Sequence, residues 1–303
     1  MRSVVQFPAC WVDSNKFEYA LRQCLSPHAS SASAVRFDIP AGCKLMLVPI
    51  VRLLSLANQL ASAGKPVVLD FAEGEHGTMG YLDRMGFFDH LSADVTVMPG
   101  RPAASAALVH FGANKDLVEI ASLDRRSIDL GLPTRLSDVV GQACASRADC
   151  KPLKDAAWNI LAELINNVVD HSDTTLPGYA ALQVYPNGNS LQVAVSDCGV
   201  GIMHTLRPTL KAQFPHLAPL TDVDLVVEMF RHGVSRFGSN RGDGLKSCAD
   251  KAIKFKAPLD VRLPQQRILL VPGKDGYRPN FAFCSDKLPL LWGTHIAFKF
   301  NLT

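Results

Sequence analysis

The sequence predicts an α/β protein of two domains, and three observations carry that prediction. Residues 35 to 88 alternate short β-branched runs with longer helical ones. A polar, turn-rich passage follows near residue 125. Beyond residue 154 a long helical stretch leads into a hairpin. With 303 residues, 48% hydrophobic and 19% charged, the chain can bury a substantial core. No apolar run approaches the roughly 20 residues of a membrane helix, and the broken start Met1-Arg2-Ser3-Val4-Val5 is too short for a signal peptide. A soluble protein with a cytoplasmic location is the expectation.

In the first half the pattern runs Val35–Ile39, Leu47–Ala63, Val67–Phe71 and Thr78–Phe88, a βαβα rhythm. Leu53, Leu56, Ala57 and Leu60 recur at three and four, which lays a helix on a sheet, and Gly64 with Pro66 ends it. Val67, Val68 and Leu69 are apolar on both faces, so that strand should be central. Arg125, Arg126, Ser127, Asp129, Gly131 and Pro133 form the joining passage, which divides the chain into residues 1–125 and 126–303. In the second half a helix runs from about Asp155 to Val169 or His171. The strands Ala180–Tyr185 and Leu191–Ser196 turn on Pro186, Asn187, Gly188 and Asn189. His204–Arg241 mixes helix and loop signals, and His295–Asn301 alternates like a strand.

Composition excludes several function classes. The formal net charge of +3 is spread along the chain. Its denser basic stretch, Arg231–Lys246, holds glycines and a single aromatic residue, Phe237, whereas nucleic-acid binding wants a basic face with stacking residues. The eight cysteines show no CxxC pair or zinc spacing and read as reduced thiols.

Four features carry chemistry. On the helix, Ile160, Leu161, Leu164, Ile165, Val168 and Val169 project to one side, and Asn159, Glu163, Asn166, Asn167, Asp170 and His171 to the other. Asparagine and aspartate cost helix propensity, so a face rich in them calls for an explanation other than solvation. Glu163, Asn167 and His171, spaced by four, form one line. The second feature, Asp197-Cys198-Gly199-Val200-Gly201-Ile202, sets a carboxylate at a strand end beside glycine backbone that a ligand can approach; alone, this pattern also describes many turns. Third, Gly242-Asp243-Gly244-Leu245-Lys246-Ser247 is a glycine pair opening a helix, where free N–H groups favour phosphate, although it is not a P-loop. The last is Trp292-Gly293-Thr294, before the final strand.

In this order the four features resemble the N, G1 and G2 boxes and terminal Gly-Thr of the GHKL ATPase superfamily, which includes the ATP-binding domains of histidine kinases, anti-sigma-factor kinases, type II topoisomerases, Hsp90 and MutL proteins. The resemblance covers roughly residues 150 to 303. It implies a Bergerat-type α/β sandwich, with a mixed, mostly antiparallel sheet covered by helices on one face. It also implies ATP and magnesium. Asn167 would ligate magnesium, with Asp170 and His171 beside the nucleotide, and Asp197 would accept from the adenine amino group. Gly199, Gly201 and Ile202 would pass beside the base, and Gly242, Gly244 and Leu245 would wrap the phosphates, with Lys246 neutralising phosphate charge. Thr294 would support Asp197, and Glu163 would take the place of the general base. Arg236 and Arg241 would sit in a mobile lid. The second box departs from the family by Asp243 and by lacking the further Gly-Leu, so binding is the firmer expectation and turnover the weaker.

Two functions follow from the resemblance. One is an ATPase that switches a regulatory assembly; the other is an anti-sigma-factor-like serine or threonine kinase acting on a protein partner. A sensor kinase lacks its dimerising hairpin here, since residues 100–150 hold only His110. A topoisomerase or MutL role lacks the transducer domain. Val67–Phe88 looks distantly like STAS domains, with Thr78 as the nearest candidate phospho-acceptor, and the N-terminal half is expected to meet the protein partner. Homodimerisation on ATP is common in the superfamily, though no residue pattern shows it here.

Overall fold

The structure, a computed structural model, describes residues 2–171, 174–234 and 243–303; of Asp170, His171, Lys211, Ala212 and Asp243 it describes the backbone alone. It is mixed α/β, built on a four-stranded parallel sheet, a seven-stranded antiparallel sheet and a two-stranded ribbon.

The first 98 residues supply β1 (Arg2–Gln6), β2 (Trp11–Val12), α1 (Ser14–Arg22), β3 (Ala34–Ile39), β4 (Lys44–Leu45), α2 (Leu47–Ser62), β5 (Val67–Phe71), α3 (Thr78–Arg84), α4 (Phe87–His90) and β6 (Val95–Met98). The long run Thr78–Phe88 is two helices because Gly86 adopts φ +79, outside the helical region. The parallel sheet has the order β1-β3-β5-β6, so each crossover steps outward the same way. Right-handed crossovers that never reverse direction place every helix on one face. Burial follows: Val5, Val35, Phe37, Val67, Leu69, Val95 and Val97 are covered, while Val4 and Met98 on the other face are 38% and 44% exposed. Thus β5 is central, as expected, but only one of its faces is packed.

The second sheet has the order β12-β11-β10-β13-β9-β8-β7. Its strands are β7 (Leu117–Leu123), β8 (Gly178–Tyr185), β9 (Ser190–Ser196), β10 (Leu259–Leu263), β11 (Gln266–Gly273), β12 (Gly276–Pro279) and β13 (His295–Asn301). The β8–β9 hairpin closes on Asn189 at φ 45, a conformation asparagine tolerates. The helices are α5 (Ala106–Val109), α6 (Leu132–Ala143), α7 (Cys150–His171), α8 (Ile202–Gln213), α9 (Asp222–His232) and α10 (Asp243–Lys254). Because β7 belongs to this sheet, the chain leaves the first sheet between Met98 and Leu117, ahead of the expected boundary near 125.

A helical layer on one face was expected, but the antiparallel sheet is covered on both. Val193, Val195, Ile296 and Phe298 pack with the apolar side of α7. On the reverse, Tyr179, Ala181, Ala194, Cys198 and Ala297 share a core with α2. α2 is therefore not the one-sided helix its leucine spacing predicts: every residue from Leu47 to Leu60 is buried between the two sheets. Its polar side chains meet the second sheet. Arg52, 0% exposed, reaches Asp260 at 3.0 Å and Glu18 of α1 at 3.4 Å. Arg267 grips Asp260 at 2.9 Å, and Arg262 grips Glu18 at 2.9 Å. Burial alone would raise the Asp260 carboxyl, yet Arg52 and Arg267 hold it well below the usual carboxylate range. Asn58 donates to the Tyr179 hydroxyl at 2.7 Å and to the His90 carbonyl at 2.9 Å.

Candidate functional site

The site grows from four chain segments on the helical face of the antiparallel sheet. α7 forms because its apolar residues recur at three and four and bury against that sheet; Ile160 to Val169 of this stripe are at most 8% exposed. On the opposite side Glu163 and Asn167 are half-buried, while Asn159 and Asn166 are exposed. Asn159 is satisfied locally, its amide donating to the Asp155 carbonyl at 2.7 Å. Asn167 instead donates through Nδ2 to Glu163 Oε1 at 3.3 Å, which leaves its amide oxygen as the atom able to face a cation. Asp170 and His171 lie on the last turn of α7, but their side chains are outside the described residues.

α10 packs against α7 and brings the second glycine motif to Glu163. A Cβ on Gly244 would fall 1.8 Å from Glu163 Oε1, so the carboxylate lies directly on the first turn of α10. Leu245 packs partly buried against the core, and Lys246 is half-buried on the same turn. Gly242, Arg236 and Arg241 lie outside the described residues.

Asp197 follows directly on β9, where the alternation of Val193 and Val195 directs it to the helical face. It is 7% exposed, and among the described residues no cation lies within salt-bridge distance of it. Its Oδ1 accepts from Gly199 N–H at 2.7 Å. Burial pushes its carboxyl up to about 6, against the backbone hydrogen bonds that pull it down. Gly201 stands at φ +80 and starts α8 at Ile202. Thr294 ties the segment together: its carbonyl accepts from Asp197 N–H at 2.9 Å and its hydroxyl from Ile202 N–H at 2.8 Å. Gly293, at φ +88, fits so closely that a Cβ there would fall 1.8 Å from the Asp197 carbonyl oxygen.

The fold therefore brings Glu163, Asn167, Gly244, Leu245 and Lys246 into one group. It brings Asp197, Gly199, Gly201, Ile202 and Thr294 into another. The oxygen donors suit magnesium, a hard cation bound by one or two protein oxygens with substrate phosphates and water. No cluster of three or more His, Cys, Asp or Glu side chains able to hold a metal occurs among the described residues, so phosphate oxygens would have to complete the shell. A separate cavity of about 300 Å³ lies behind the sheet, lined by residues such as Asp13, Val48, Gln192, Asp260, Arg267 and Lys299, and includes none of the motif residues.

Thr78 is not on the surface. It is 8% exposed and its hydroxyl donates to the Cys43 carbonyl, so as folded it offers no acceptor to a kinase. Motif reading also missed the residues behind the site, chiefly Gln59 of α2, although Arg52, Ser55 and Gln59 recur at helical spacing inside an apolar run and signal a second partner. Comparison with known proteins adds no name: no protein-family model matches the chain, and no curated protein matches it.

Proposed function

We propose that the chain is a GHKL-type nucleotide-binding protein that takes magnesium-ATP between α7, α10 and the Asp197 segment and hydrolyses it to switch a regulatory assembly. The observation that carries this reading is Asp197. A buried carboxylate held by backbone hydrogen bonds at Gly199 and Thr294, with no cation at salt-bridge distance among the described residues, is costly unless a ligand uses it. An adenine amino group is such a ligand, because it donates where the carboxylate accepts.

In this reading Asn167 supplies an amide oxygen to magnesium. The metal, when bound, neutralises charge on the phosphates. Glu163, one helical turn away, orients water and takes its proton. The N–H groups of the first turn of α10 meet phosphate oxygens, helped by the positive end of the helix, with Lys246 on that turn as a further cation. The open face of the parallel sheet, with Val4 and Met98 exposed, supports a protein partner there, since parallel sheets are usually covered on both faces.

Turnover of γ-labelled ATP, followed into both free phosphate and protein, tests the proposal. We expect magnesium-dependent phosphate release that Glu163→Ala lowers at least 100-fold while Kd for ATP changes less than threefold. Label on a protein partner would replace hydrolysis by the kinase-like reading. Absence of both release and binding would overturn the nucleotide site.

A further inference from the structure

The peptide beside the Asp197 segment is held from the other half of the molecule. Gln59 of α2 is 0% exposed. Its Nε2 donates to the Trp292 carbonyl at 3.0 Å, and its Oε1 accepts from Trp292 N–H at 2.9 Å. Both polar groups of one residue's backbone are thus satisfied by a single side chain. That residue directly precedes Gly293 and Thr294, which touch Asp197 and Ile202. Around the clamp, the His28 ring stacks on Trp292 at 4.8 Å, and the Cys198 thiol, 1% exposed, meets Ser55 and Gln59.

We propose that Gln59 is a positioning residue for the nucleotide site: by clamping Trp292 it sets Gly293 and Thr294 behind Asp197, and so couples adenine recognition to the packing of α2. The inference rests on the nucleotide reading above. Its physical basis is the close fit at Gly293. A Cβ on Gly293 would fall 1.8 Å from the Asp197 carbonyl oxygen, and the Thr294 carbonyl accepts from Asp197 N–H at 2.9 Å, so a shift of Trp292 is passed directly to the Asp197 peptide. An apolar residue at position 59 would leave the buried Trp292 N–H unpaired and its carbonyl with the His295 ring alone, at 3.0 Å, and the strand entry would shift to find partners. The same contact makes α2, which packs on the parallel sheet, sensitive to whether the nucleotide site is filled.

The test is binding of magnesium-ATP and magnesium-GTP by full-length wild type, Gln59→Leu and Gln59→Met, with Leu60→Ala as a variant that loosens the same helix without touching Trp292. We expect both Gln59 variants to weaken ATP binding at least tenfold and to lower the ATP-over-GTP ratio at least fivefold. Leu60→Ala should lower Tm and leave that ratio unchanged. If wild type binds ATP and the Gln59 variants keep both its Kd and its ratio, the positioning role is wrong while the nucleotide site stands. If wild type binds neither nucleotide, both fall. Should the Gln59 variants not fold, hydrogen exchange of wild type decides: magnesium-ATP should slow exchange in 52–62 but not in 2–6, and an equal effect on both segments overturns the coupling.

Discussion

Two helices of this protein carry polar residues at helical spacing, and they treat them in opposite ways. On α2, Arg52, Asn58 and Gln59 are at most 5% exposed, and each is paired with the antiparallel sheet or the segment that enters its strand β13. On α7, Glu163 and Asn167 are half-buried and bond only weakly to each other, at 3.3 Å. The first row is what folding requires, since a buried polar group without a partner costs about 1–3 kcal/mol. Among the described residues the second has no such pairing beyond itself: its carboxylate and amide face a glycine turn and leave oxygens that, in the proposed site, would serve a ligand. A buried polar row with partners binds the molecule to itself, whereas a half-open row with spare acceptors points to a ligand.

The largest expected effect lies on the structural row. Arg52→Met leaves Glu18 and Asp260 with one arginine fewer in a buried setting and should lower unfolding free energy by about 3 kcal/mol, measured by urea denaturation. A loss near zero would show that the α2 row is not structural.

Asp197→Asn should act in two directions. It abolishes detectable ATP binding, and at pH 7 it stabilises the ligand-free protein by about 2 kcal/mol, because a carboxylate raised to about 6 is costly to keep ionised. The sign follows from the shift. The folded carboxyl holds its proton to higher pH than the unfolded one, so stability from this group is fullest below about pH 4. It is lost as pH rises toward about 6. A neutral Asn removes that loss, and calorimetric unfolding at pH 5 and pH 7 would read it.

Binding should respond oppositely to acid. In the proposed site the ionised carboxylate would accept from adenine, so ATP affinity relative to GTP, which shares the phosphates, should fall about tenfold between pH 7 and pH 5 as Asp197 takes up its proton. A flat ratio would detach Asp197 from the base.

The smallest effect is at Gly244. Ala there meets only the movable end of Glu163, so thermal unfolding should change by less than about 1 kcal/mol. Turnover should drop as Glu163 is displaced. Unchanged turnover would remove the carboxylate from the chemistry.

Periodicity made much of this legible. The βα alternation through Phe71, the α7 stripe, the hairpin turn at Asn189 and the strand His295–Asn301 all follow from local pattern. That Asp197 meets Thr294, and that Glu163 and Gly244 share one site, was implied by the resemblance to the GHKL motif series rather than by local pattern. What local pattern could not give is the partner of each surface. Leu53, Leu56 and Leu60 look the same whether the far side of α2 meets water or a second sheet, and only the buried Arg52 and Gln59 reveal the difference. β7 likewise reads as a short apolar segment, and its membership in the second sheet depends on pairing with β8, more than fifty residues away. Gly293 was picked out as part of the terminal Gly-Thr, but its role, a backbone contact with Asp197, leaves no trace in the sequence pattern.

Titration of magnesium-ATP into wild type and Asp197→Asn at pH 7, with heat as the readout, tests the central claim most directly. The account predicts saturable binding by wild type, none by the variant, and a higher unfolding temperature for the ligand-free variant. Equal binding by the two proteins, or none by either, would contradict the assignment of Asp197 as the adenine-recognising group.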